Sequence, residues 1–164
     1  MSKTEDNLKE AFAGESQANR KYLAYAKKAE EDGFSQVARL FRAAAYAETV
    51  HAHAHLAALK GVAGTEDNLR DAIDGETHEF TSMYPQMIID AESEGEATAL
   101  KSFAFANAVE KIHAALYEKA LAEIGNNEEV DYYVCDVCGN TVEVEAPDTC
   151  EICGAGKKAF TKVD

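Results

Sequence analysis

The sequence repeats itself. Thr4-Glu-Asp-Asn-Leu-Lys-Glu-Ala-Phe-Ala-Gly-Glu15 returns as Thr65-Glu-Asp-Asn-Leu-Arg-Asp-Ala-Ile-Asp-Gly-Glu76, with eight of twelve positions identical. Further on, Phe41, Glu48 and His51 return as Phe103, Glu110 and His113. A duplicated chain folds as two like units, and this unit reads as helical. Pro85 is the only proline in residues 4–125, where Ala, Glu, Lys and Leu dominate, all good helix formers. Gly33, Gly61, Gly64, Gly95 and Gly125 fall where the apolar period stops. They predict helices near 4–31, 34–60, 65–94 and 96–125. Helices of that length favour a bundle. Thr4 and Thr65 read as N-caps, with acids behind them at the positive end of the helix dipole. The expectation is a duplicated helical hairpin.

The apolar stripe of each predicted helix is interrupted at its middle. The first reads Leu8, Phe12, Glu15, Asn19, Tyr22, Ala26, and the second Val37, Phe41, Ala44, Glu48, His51, His55. The third reads Leu69, Ala72, Glu76, Glu79, Met83, Met87, and the fourth Leu100, Phe103, Ala106, Glu110, His113, Tyr117. Glu-x-x-His spacing puts both side chains on one helix face. A buried carboxylate costs several kcal/mol unless it is paired or metal-bound. Solvated acids would require the stripe to be misphased in all four helices at matching heights. One Glu from each of two helices (Glu15, Glu76) plus Glu-x-x-His from the other two (Glu48/His51, Glu110/His113) is the di-iron or di-manganese carboxylate pattern. Such mixed oxygen and nitrogen ligation suits iron or manganese.

The repeat breaks at Glu79, which aligns with Ala18. This extra acid is either a seventh ligand, able to exchange with another, or an acceptor for a ligand imidazole. Pro85 lies inside the third helix, where the missing N–H should kink or bulge it. Tyr22 and Tyr84 flank the carboxylate layer; each is a candidate for redox protection of the site, or a core aromatic with a satisfied hydroxyl. His55 is expected to be an interior histidine rather than a ligand, and His53 and His78 to be exposed.

Composition changes after Gly125, which sets a helical domain at residues 1–128 apart from a second domain at 129–164. Cys135-Asp-Val-Cys138-Gly and Cys150-Glu-Ile-Cys153-Gly are matched knuckles holding all four cysteines. A Gly after each can take the left-handed turn that aims backbone amides at sulfur. The pattern points to a tetrahedral metal site of four thiolates and does not separate iron from zinc. The net charge of −14 argues against nucleic acid or anionic membrane as partners. With no apolar run near 18 residues and no basic leader, a cytoplasmic protein is expected, and in that reducing compartment paired cysteines favour metal over disulfide.

Together these residues resemble the rubrerythrin family along essentially the whole chain. The carriers are Gly14-Glu-Ser-Gln17, Glu48-x-x-His51, Gly75-Glu76-x-x-Glu79, Met83-Tyr-Pro85, Glu110-x-x-His113 and the C-terminal set of four cysteines. The resemblance implies an all-α four-helix ferritin-like bundle with a di-iron site, followed by a small rubredoxin-like domain with short β-strands and one iron on Cys135, Cys138, Cys150 and Cys153. Zinc is a possible occupant of the sulfur site in recombinant material. It implies reduction of hydrogen peroxide to water, with electrons from NAD(P)H through a separate reductase and rubredoxin. It also implies that one iron exchanges His51 for Glu79 when the oxidation state changes, with Tyr22 and Tyr84 nearby. A ferritin-type ferroxidase or iron-binding protein is the alternative, though iron storage has no need of a four-cysteine relay.

One feature departs from many family members. Only Gly61-Val-Ala-Gly64 separates the second and third predicted helices. Four residues span at most about 15 Å, whereas a helix of this length is about 40 Å long. A crossover running the length of the bundle is excluded within one chain. A plain up-down-up-down bundle is one solution; the other, expected because the family's fold needs the crossover, is a domain-swapped homodimer.

Overall fold

The computed structural model describes residues 2–163. Five α-helices come first: α1 (Lys3–Glu31), α2 (Ser35–Ala58), α3 (Thr65–His78), α4 (Tyr84–Glu94) and α5 (Ala97–Ala122). A π-helical turn, Glu79–Met83, carries α3 into α4. Three short strands follow, β1 (Tyr132–Cys135), β2 (Thr141–Glu143) and β3 (Phe160–Val163), with a 3-10 turn at Lys157–Ala159. The predicted third helix is thus α3, the π turn and α4 in succession. The chain divides into two compact units, one ending at Ala63 and the other beginning at Gly64. That boundary falls in the linker between the repeats.

In the first unit α1 and α2 form a hairpin around Gly33, whose φ of 83° is the left-handed turn glycine adopts freely. Its fully buried seam is alanine: Ala26, Ala29, Ala38, Ala45 and Ala52. Small side chains let the helix axes approach closely. The Asn19 amide clamps the pair, donating to the Ala45 carbonyl at 2.7 Å and to Thr49 Oγ1 at 2.8 Å. In the second unit α3 and α4 pack on α5, with Val109, Ala91 and Ala114 buried.

The strands form an antiparallel sheet in the order β2-β1-β3, with Tyr133 opposite Val142 on one side and Lys162 on the other. Within this second unit the sheet rests on α5. Lys119 Nζ donates to both Glu143 carboxylate oxygens, at 3.0 and 2.7 Å. The ammonium is held above its ordinary value, first by these hydrogen bonds.

Two expectations need correction. Thr4 is not the cap of α1. Ser2 is, and its hydroxyl accepts from the Glu5 N–H at 3.2 Å. Ser2-x-x-Glu5 is a capping-box pattern, and one residue of α1 therefore precedes Thr4. Likewise Gly64 occupies the cap of α3, and Thr65 is its first residue. The stripes are also only partly covered. Val37, Met87 and Tyr117 were expected inside, yet they are 45%, 36% and 38% exposed. Leu40 and Tyr46 on α2 are more exposed still. A two-helix unit buries one seam, whereas a stripe wide enough for a bundle asks for a second layer.

Candidate metal centres

Each unit assembles half of the predicted carboxylate constellation. In the first, Glu15 on α1 faces Glu48 and His51 on α2. His51 Nδ1 lies 2.8 Å from Glu48 Oε2 and 3.8 Å from Glu15 Oε1. In the second, Glu76 on α3 faces Glu110 and His113 on α5, and the distances from His113 Nδ1 repeat: 2.8 Å to Glu110 Oε2 and 3.8 Å to Glu76 Oε1. In each triad the donor atoms lie within 4.8 Å of one another. Helical phase explains this. The i,i+3 spacing of the Glu-x-x-His motifs makes the short contact, and the neighbouring helix supplies the third donor.

The two triads differ in their surroundings. The His51 side chain is 55% exposed and that of His113 is 27% exposed. His113 Nε2 lies 3.0 Å from Thr141 Oγ1 on β2. Among the described residues no hydrogen bond reaches His51 Nε2. Burial, and then the negative charge of Glu110, push the Glu76 carboxyl above its usual range, with His113 pulling the other way. Carboxylates crowded in this way call for cations. Two carboxylates and one imidazole per triad are hard and intermediate donors that suit iron or manganese.

Glu79 is not among the donors that converge in either triad. It opens the π turn, half-buried, one residue past α3. The Tyr84 N–H donates to the Glu79 carbonyl, and Pro85, which has no N–H to offer, follows. The expected distortion therefore takes the form of a π-bulge, a feature frequent at functional sites. Tyr84 lies beside the acids: burial first, and then the charges of Glu79, Glu110 and Glu76, raise its phenol above the usual value. Tyr22 packs on Phe41 and Tyr84 on Phe103, at ring-centroid distances of 6.1 and 6.3 Å, so the repeat extends to these aromatics. His53 and His78 are exposed and His55 is half-buried.

The four thiols form a separate cluster. Cys135 Sγ and Cys153 Sγ are 3.7 Å apart, Cys138 Sγ and Cys150 Sγ 3.6 Å, and all four lie within 4.8 Å of one another without a disulfide. A tetrahedron with metal–sulfur bonds of about 2.3 Å has edges of about 3.8 Å, close to these two short sulfur–sulfur distances. Gly139 and Gly154 take φ values of 83° and 76°, and their N–H groups close the knuckles onto the Cys135 and Cys150 carbonyls. Burial disfavours the Cys150 thiolate. Hydrogen bonds from the Cys153 and Ile152 N–H groups and from the Asn140 amide outweigh it and draw the thiol down to about 6. Asn140 is completely buried, with Nδ2 3.6 Å from Cys150 Sγ. Sequence reasoning missed both Asn140 and Thr141. The available signal was their place directly after the first knuckle.

A helical repeat with paired carboxylate–histidine triads, followed by a three-stranded module with four clustered thiols, defines an iron-binding protein with ferritin-like and rubredoxin-like parts. The rubrerythrin family model matches residues 6–121, and that of the rubredoxin-like domain of rubrerythrin matches residues 133–161. The chain belongs to the rubrerythrin family. It is 36% identical to rubrerythrin-2 of Clostridium acetobutylicum, over 96% of this chain and 95% of that protein. It is 35% identical to nigerythrin of Nitratidesulfovibrio vulgaris, over 96% and 85% of the two chains. Among solved structures, nigerythrin in a mixed-valence state aligns with a TM-score of 0.60 at 34% identity, covering 99% of this chain and 88% of the other. Nigerythrin in its fully reduced, all-ferrous state aligns with a TM-score of 0.59. No helix among the described residues is long and apolar enough to cross a membrane.

Proposed function

We propose that this protein is a non-haem di-iron peroxidase that reduces hydrogen peroxide to water, drawing electrons through an iron centre held by four cysteines. The overall change takes one peroxide, two electrons and two protons to two waters. The observation that carries the reading is the presence on one chain of both donor sets, with the sulfur module hydrogen-bonded to His113 of a carboxylate triad. A ferritin-type ferroxidase would need the carboxylates and have no use for the sulfur site.

In this reading Glu15, Glu48, His51, Glu76, Glu110 and His113 hold two irons, and Cys135, Cys138, Cys150 and Cys153 hold a third. Bound iron supplies the electrons for O–O cleavage and charge to stabilise the departing oxygens. Tyr84, whose phenol is raised above its usual value by burial and by Glu79, Glu110 and Glu76, is a protonated donor beside the acids. Tyr22 stands in the matching position of the other half. With iron bound, His51 would be the ligand that lets go and Glu79 the one that would replace it. The greater exposure of His51 supports this, as does Thr141 at His113, which leaves that ring held at both nitrogens.

The active form is proposed to be a domain-swapped homodimer in which the hairpin of one copy completes the bundle of the other. The short Gly61–Gly64 linker and the uncovered apolar side chains of α2 support it. Electrons are proposed to arrive in the cytoplasm from an NAD(P)H-dependent reductase by way of rubredoxin. Anaerobic rapid mixing of the reduced, iron-loaded protein with peroxide tests the function. The red absorption of the ferric four-cysteine centre should return as peroxide is consumed. A sulfur-bound iron that stays reduced would contradict the reading.

A further inference from the structure

Three features apart from the metal ligands invite a further role. A cleft between α1 and α2, of about 230 Å³ and lined in part by Arg20 and His53, holds no buried polar group that calls for a ligand. The buried Asn140 amide belongs to the sulfur site. The third is the contact between Thr141 and His113, which joins the two metal-binding regions within the second unit.

The hydrogen-bond directions at Thr141 can be assigned. Its hydroxyl has a single proton. Oγ1 lies 3.1 Å from the carbonyl oxygen of Gly139, which can only accept. The proton therefore goes to Gly139, and Thr141 accepts from His113 Nε2–H at 3.0 Å. A neutral imidazole protonated at Nε2 carries its lone pair on Nδ1. That nitrogen is the one facing Glu110 and Glu76. Gly139 in turn follows Cys138 directly. A continuous path of bonds and two hydrogen bonds thus runs from Cys138 through Gly139 and Thr141 to His113.

We infer that Thr141 is a positioning residue that couples the two centres within one chain. It sets His113 in its Nδ1-ligating tautomer and closes a bonded route from the sulfur site to the carboxylate site. The inference rests on the proposed peroxidase reading for its electron-transfer part and on geometry alone for the tautomer. Among the described residues the first half of the repeat has no such partner at His51 within the chain. His113 and Thr141 share the wall of one cleft with Leu69, Leu116, Tyr117 and Tyr132.

Thr141→Val and Thr141→Ser, made in the full chain, test this. Val is close to Thr in shape and suits a strand, so β2 persists; Ser restores the hydroxyl. In zinc-loaded, nitrogen-15-labelled protein, the His113 Nε2–H should be protected from exchange in the parent and Thr141→Ser, and exchange rapidly in Thr141→Val. In iron-loaded protein, the return of the red sulfur-site absorption after peroxide should slow about 10-fold or more in Thr141→Val, as loss of a hydrogen-bond partner to a metal ligand does elsewhere, and recover in Thr141→Ser. Unchanged N–H protection in Thr141→Val overturns the role of Thr141 in holding the ring, and absence of an Nε2–H in the parent overturns the tautomer assignment. An unchanged return of the red absorption overturns the route. Failure of the peroxidase reading itself would show as no peroxide-driven return in the parent protein, while the exchange measurement would still decide the tautomer.

Discussion

Glu79 is the acid that the first half lacks, Ala18 holding the matching position. Replacing it by alanine restores the symmetry of the repeat. Glu79→Ala should retain full iron content, because both triads are intact without it, and lose about 10- to 100-fold in peroxide turnover. Iron analysis alongside kcat separates the two effects, and unchanged turnover would leave Glu79 with no part in the exchange. Asn140→Ala removes the amide donor to Cys150 from a fully buried position. It should cost about 1–3 kcal/mol of stability and, in metal-free protein, move the Cys150 thiol upward from about 6, read from thiolate absorption against pH. At this scale the paired donors were legible in the sequence, since Glu-x-x-His and Cys-x-x-Cys bring two donors together by local spacing, and the structure brings Glu15, Glu76 and the second knuckle to them. Thr141 and Asn140 were not. Their place directly after the first knuckle hints at a role, but Cys150 lies 10 residues from Asn140 and His113 lies 28 from Thr141, and spacing alone does not pair them.

Among the elements, the π turn and the docked sheet carry the consequences. Pro85 withholds one helical N–H, and the turn before it widens to five-residue spacing. Pro85→Ala should let α3 and α4 join in regular register, raising thermal stability while lowering turnover, because Glu79 and Tyr84 then change their angular relation to Glu76. Melting temperature and kcat moving in the same direction would contradict this. The sheet's salt bridge to α5 depends on pH with a definite sign. The Lys119 value in the folded chain lies above its ordinary 10.5, so its stabilisation is fully present below about 10.5 and is lost as pH rises through the folded value. Proteolysis of the segment between α5 and β1 should accelerate only in that alkaline range. The sequence led to a distortion at Pro85 but not to its form. A proline can kink a helix or shift its hydrogen bonds to wider spacing, and which occurs depends on what the adjoining turn packs against. The cap of α1 was misplaced because Thr4 and Ser2 both offer hydroxyls, and only helix phase chooses between them.

For the whole molecule, the repeat and its linker were legible and the uncovered faces were not. The apolar stripes implied a full bundle around them, yet Val37, Leu40 and Tyr46 stay exposed in the chain taken alone. Light scattering of the iron-loaded protein should give a dimer, and Leu40→Glu should weaken it. A stable monomer with two irons in one complete bundle would rule out the exchange of hairpins. The proposed activity depends above all on electrons from the sulfur site reaching peroxide. Anaerobic titration of the fully reduced, iron-loaded protein with hydrogen peroxide tests that most directly, following the visible absorption and any dioxygen evolved. The expected result is one peroxide consumed for every two ferrous ions oxidised, with the cysteine-bound iron among them and no dioxygen released. Oxidation confined to the carboxylate irons, or release of dioxygen, would contradict it.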